Sequence, residues 1–80
     1  MSTSTAALLE DALREIAGPD AEPTSMTVDY GASVADGPLA GKAWVERSTR
    51  SLVFAQAELR TDDGNLVAAA SAVFRRVTQA

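Results

Sequence analysis

Two kinds of side chain in this 80-residue chain have the type and spacing to do chemistry: carboxylates on a short amphipathic segment, and arginines at the ends of strand-like runs. Glu10 falls at the border of an apolar stripe formed by Thr5, Leu9, Ala12, Leu13 and Ile16, when residues are placed about 100° apart. A carboxylate there can attack an electrophilic carbonyl or activate water, provided that it is shielded from bulk solvent. In the plainer alternative it pairs with Arg14 one turn on, an interaction worth about 0.2–0.5 kcal/mol. Asp11 is one step away, on the polar side. Arg47 and Arg50 flank a tight turn, and Arg75 with Arg76 closes the last apolar run. A guanidinium fork matches a phosphate well, although charge at a strand end also serves to discourage unwanted pairing. Arg75 and Arg76 point to opposite faces of an extended strand, so one ligand meets only one of them.

Other chemistries are excluded by what is missing. The chain contains no histidine and no cysteine, so a Ser-His-Asp arrangement cannot be assembled from Ser2 to Thr5, and a Cys/His zinc site is out of reach. Asp62-Asp63 precedes a glycine between two apolar alternating runs. That is turn chemistry rather than a metal site. Trp44 reads as a core or interface anchor.

These side chains must be positioned by one helix and four strands. Ser4 or Thr5 can cap a helix running to Ala17, which Gly18-Pro19 stops. Asp20 to Pro23 reads as a polar connector. Thr24 to Tyr30 alternates, Leu39 to Arg47 forms a second strand after a Gly31–Pro38 loop, and Ser51 to Thr61 and Leu66 to Arg76 form a hairpin about Asp63-Gly64. Both faces of the last strand are apolar over most of their length, which predicts a central strand covered on both sides. The last three strands should form a meander, with the first strand beside the last. The alanines at 55, 57, 68, 70 and 72 would let the helix come close to the sheet. The fold class is therefore α+β, with a cystatin-like roll as the rival to the architecture given below.

A chain of this length is one small domain, and without disulfides or zinc it is a candidate for sharing its core with a second copy. A net charge of −4 argues against nucleic-acid binding. No apolar run approaches the roughly 20 residues of a membrane span, and no secretory leader is visible. A cytoplasmic location is the expectation.

Taken in order, Ala-Ala-Leu-Leu-Glu-Asp-Ala-Leu in the helix, Met-Thr-Val-Asp-Tyr, Asp-Gly-Pro-Leu-Ala-Gly-Lys-Ala, Arg-Ser-Leu-Val-Phe-Ala-Gln-Ala-Glu-Leu and Asp-Gly-Asn-Leu-Val-Ala-Ala-Ala-Ser-Ala-Val-Phe-Arg resemble the hotdog-fold acyl-CoA thioesterases. The closest branch holds the phenylacetate-pathway and 4-hydroxybenzoyl-CoA thioesterases. The resemblance implies a hotdog-like fold, with a central helix wrapped by a four-stranded antiparallel sheet, and a homodimer or higher oligomer with the acyl-CoA thioester at the dimer interface. It implies Glu10, with Asp11 as fallback, as nucleophile or base, and helix N-terminal amides as donors to the thioester carbonyl. It implies Arg47, Arg50 and Arg75 as partners of the coenzyme A phosphates. No metal and no cofactor is implied, coenzyme A being part of the substrate. A non-catalytic module for acyl binding or assembly, and a small roll for protein–protein binding, are the alternatives. Relatives enter the helix through one or two strands and a His-Gly-Gly turn. That turn aligns here with Met1-Ser2-Thr3, so the chain reads as a shortened hotdog domain.

Overall fold

The structure, a computed structural model, describes residues 4–32 and 37–77. It consists of α1 (Thr5–Ala17), β1 (Ala21–Tyr30), β2 (Leu39–Ser48), β3 (Leu52–Thr61) and β4 (Leu66–Arg76). All pairings are antiparallel, in the order β1-β4-β3-β2. The helix lies on one face and meets all four strands. This is the expected hotdog-like arrangement, with the last three strands in a meander and the first beside the last. Met1-Ser2-Thr3, aligned above with a His-Gly-Gly turn, and Asp36 of the 31–38 loop lie outside the described residues.

The helix begins where its capping chemistry says it should. Ser4 is extended (φ −69°, ψ 156°), and its Oγ accepts from the Ala7 N–H at 3.1 Å. At the other end Gly18 adopts φ +99° and its N–H donates to the Arg14 carbonyl, a left-handed stop that a side chain would oppose. Leu9, Leu13 and Ala17 are buried. Ile16, expected in the stripe, is 41% exposed. The axis of contact runs through Leu9, Leu13 and Ala17 instead, and this rotates Ile16 to the β2 margin.

Beneath the helix is a floor of small side chains. Ala55, Ala57, Ala68, Ala70 and Ala72 are each at most 5% exposed, with Val53 and Phe74 closing one end and Leu59 the other. The cross-strand pairs Ala55↔Ala72 and Ala57↔Ala70 sit side by side in this floor. Alanine ends at Cβ, so the leucines of the helix can fill the depth between the layers.

The opposite face departs from expectation. β4 is central, but within the chain only its helix side is covered: Ser71 and Arg75 are exposed, and Ala69 and Val73 are half-buried. One helix can shield one face, and no second layer exists among the described residues. β1 also begins earlier than expected, because Ala21 to Pro23 continue the pairing with Phe74 to Arg76. β4 runs long enough to offer them partners, and Pro23 is tolerated on an edge strand, where its missing N–H is not needed. The register then shifts between Pro23 and Ser25, leaving Thr24 as a bulge whose Oγ1 donates to the Val73 carbonyl at 3.0 Å.

Two substitutions test this packing. Ala70→Leu should lower stability by about 1–3 kcal/mol by lifting the helix off the floor. Gly31 packs its Cα against the backbone, and a Cβ there would strike the Leu66 carbonyl oxygen. Gly31→Ala should therefore also cost about 1–3 kcal/mol. Urea denaturation followed by circular dichroism checks both, and an unchanged midpoint in either variant contradicts the packing described.

Candidate active site

Glu10 stands on the flank of α1 that looks toward β1, away from Ile16. Beside it runs a groove of about 220 Å³ lined by Pro23, Thr24, Ser25, Met26, Ala72 and Phe74. Its walls are therefore the helix border, the bulged start of β1 and the end of β4. Met26 is a half-buried part of the core margin, whereas Phe74 is fully buried. The bulge shapes the groove. By inserting Thr24 it turns the β1 edge at the level of Glu10, and Pro23 removes an N–H that would otherwise invite a further strand.

The Glu10 carboxylate is not idle in this structure. Its Oε2 accepts from Arg14 Nε at 2.8 Å, and its side chain is 45% exposed. Asp11 is exposed on the solvent side of the helix, away from the groove. The helix N-terminus lies about a turn and a half before Glu10. There the Ser4 Oγ occupies the Ala7 N–H, while helix geometry leaves the Thr5 and Ala6 N–H groups without an acceptor inside the helix. Those amides carry the positive end of the helix dipole.

The arginines are not gathered round Glu10. Arg47 pairs across strands with Phe54, and Arg75 with Glu22 and Leu52. Phe54, Leu52 and Glu22 all belong to the sheet face opposite the helix. Arg47 and Arg75 are thus separated from Glu10 by the thickness of the sheet. Arg75 Nη2 donates to Glu22 Oε2 at 3.3 Å, with both side chains more than half exposed. Arg50 is exposed in the β2–β3 turn. Arg76 is committed to that turn, donating from Nε to the Thr49 carbonyl at 3.2 Å and from Nη2 to the Ser48 Oγ at 2.6 Å. Thr49 closes the same turn, its Oγ1 accepting from the Leu52 N–H at 3.0 Å.

Trp44 is not in the core under the helix. It lies half-buried on the helix-free face, where its Nε1 donates to Glu46 Oε1 at 3.0 Å and the Lys42 ammonium stands 5.7 Å from the ring centroid. The bulge that places Glu46 between Val45 and Arg47 sets this contact. On the same face Arg60 binds Glu58 through Nε at 3.1 Å, and this hydrogen bond, helped by the charges of Arg60 and Lys42, holds the Glu58 carboxyl below its ordinary range. Asp62 and Asp63 form the β3–β4 turn, in which Gly64 has φ +86° and donates to the Thr61 carbonyl at 2.9 Å. Among the described residues no three carboxylates come together as a metal site would require. Among the described residues no helix is long and apolar enough to cross a membrane, α1 being the one present.

Sequence reasoning did not assign Thr24 and Met26 to a groove, because Pro23 was read as the end of a connector and the bulge beside it depends on pairing with β4. Because the Glu10 carboxylate makes one half-exposed ion pair, Glu10→Gln should change stability by less than about 0.5 kcal/mol. A larger shift of the urea midpoint would contradict the reading of the Glu10–Arg14 pair as a weak surface contact.

The family model described as the acyl-CoA thioesterase N-terminal domain matches residues 2–75. Nothing among the curated proteins matches the chain. The family match spans helix and sheet together, which favours the hotdog arrangement over a cystatin-like roll.

Proposed function

We propose, for a chain that belongs to the acyl-CoA thioesterase N-terminal domain family, hydrolysis of an acyl-CoA thioester at Glu10 in a site completed by a second copy of the chain. The observation that carries this reading is the position of Glu10. It borders a groove with an apolar floor formed by Met26, Ala72 and Phe74, whereas Glu15, a turn and more further from the helix N-terminus, borders a second groove toward β2 lined by Ala12, Ile16 and Ala43.

In this reading the acyl group lies along the groove and the thioester carbonyl comes within reach of the Glu10 carboxylate. Glu10 leaves Arg14 and either attacks the carbonyl carbon or takes a proton from an attacking water. Negative charge then builds on the carbonyl oxygen, where N–H groups at a helix N-terminus stabilise it. Collapse expels the coenzyme A thiolate, which is protonated on leaving, and water supplies the oxygen of the released acid.

The remainder of coenzyme A explains why one chain is insufficient. Arg47 and Arg75 face away from Glu10, so they meet its phosphates only if the ligand crosses a sheet edge or if they belong to the other copy. Arg50, exposed in its turn, has the freest approach. A homodimer acting in the cytoplasm is the assembly that this reading requires.

A second reading is favoured by a specific contact. The 2.8 Å pairing of Glu10 with Arg14, half exposed to solvent, is also what a non-catalytic acyl-binding or assembly module would show.

Hydrolysis assays on short aliphatic and aromatic acyl-CoAs distinguish the two. Glu10→Gln should reduce kcat by about 10²–10⁴ while acyl-CoA binding persists. Equal rates for both proteins, or no hydrolysis by the wild type, would assign the chain to the second reading.

A further inference from the structure

Along the seam between α1 and β1 two hollows follow one another. Glu10 borders the first, whose floor is Met26, Ala72 and Phe74. One turn on, Arg14 and Glu15 border the second, about 430 Å³ in volume, beside Gly18, Pro19 and Ala21. Ala21 of the second and Pro23 of the first are near neighbours on β1. Glu10 belongs to one hollow and Arg14 to the other, so their ion pair spans the two.

Arg14 is only partly engaged by this pair. Its Nε donates to Glu10 Oε2 at 2.8 Å, and among the described residues its guanidinium makes no other hydrogen bond. Arg60, by contrast, commits Nε and Nη2 to Glu58 and Nη1 to the Gly64 carbonyl. A guanidinium fork fits a carboxylate best through two parallel N–H bonds. Arg14 therefore keeps an unused edge at the end of the groove, and its side chain is 52% exposed.

We infer that Arg14 selects acyl groups that end in a carboxylate, an inference that rests on the reading of Glu10 as the reacting group. To act, Glu10 must leave Arg14, and this strands a guanidinium without its anion. A carboxylate at the far end of the acyl group takes that place in bidentate geometry and frees Glu10 for the thioester. Binding energy from a non-reacting part of the substrate thus releases the reacting group. An acyl group with an apolar end offers Arg14 nothing, and Glu10 stays paired. No bond forms or breaks at Arg14 beyond this exchange of hydrogen bonds.

Geometry and charge bound the class of substrate. Glu10 and Arg14 are one turn apart, about 5.4 Å along the axis, so the acyl group is the monothioester of a diacid of about four to six carbons. Glu15, the other charged side chain of the second hollow, is acidic. Arg14 is accordingly the group there that an anion can pair with.

Two substrates of equal carbon number test the inference: succinyl-CoA, ending in a carboxylate, and butyryl-CoA, ending in a methyl group. The kcat/KM of the wild type should favour succinyl-CoA by at least about tenfold. Arg14→Met should bring the ratio close to one, and Arg14→Lys, which keeps the charge but not the fork, should recover part of it. Calorimetry should show the same preference in binding. Equal kcat/KM for the two substrates, or a preference that survives Arg14→Met, would overturn the inference and leave the role of Glu10 standing. Tighter binding of succinyl-CoA that Arg14→Met abolishes, with hydrolysis of neither substrate, would sink the reading of Glu10 and leave Arg14 as the carboxylate site. Equal binding without hydrolysis would overturn both.

Discussion

The close seat of the helix on a sheet of alanines is the constraint from which the rest follows. Leu9 and Leu13 are essentially inaccessible, and they reach that state only because the five alanines below them end at Cβ. In a chain this short most of the available burial is concentrated in that one contact. It determines which flank of the helix turns toward β1, and therefore that Glu10 borders a groove while Asp11 faces solvent.

A sheet with a single covering layer has two other surfaces to manage. Its edges are β1 and β2, and each carries a bulge, at Thr24 and at Glu46. Both bulges do local work: one shapes the groove beside Glu10, the other aims Trp44 and Glu46 at each other. The open face is managed differently. Its margins carry charge, acidic Asp29 on β1 and basic Lys42 and Arg47 on β2, and its centre is neither fully polar nor fully apolar. The Glu10 carboxylate lies on one side of the sheet and Arg47 and Arg75 on the other, and it is for this reason that the proposed site calls for a second copy.

Much of this was legible beforehand because the relevant signals are local. The helix limits follow from a serine cap and a Gly-Pro stop, the hairpin from Asp63-Gly64, and the strand order from a last strand too apolar to lie at an edge. The start of β1 was not legible, because Asp20 to Pro23 resemble a linker until β4 supplies them with partners. The exposure of Ile16 and the placement of Trp44 likewise depend on the rotation of one element against another. Helical periodicity fixes a stripe only to within about one residue's turn.

Taken alone, then, the amino-acid order determined the class of fold, the register of polar and apolar sides, the chemistry that is out of reach without histidine or cysteine, and the carboxylate worth testing. Those are properties of residue type and of periods within one element. The tertiary structure decided which charged groups share a face, that Glu10 is already paired with Arg14, and that the arginines stand across the sheet from it. Such relations arise from the pairing of distant segments, where a single extra residue at a bulge re-aims every side chain that follows.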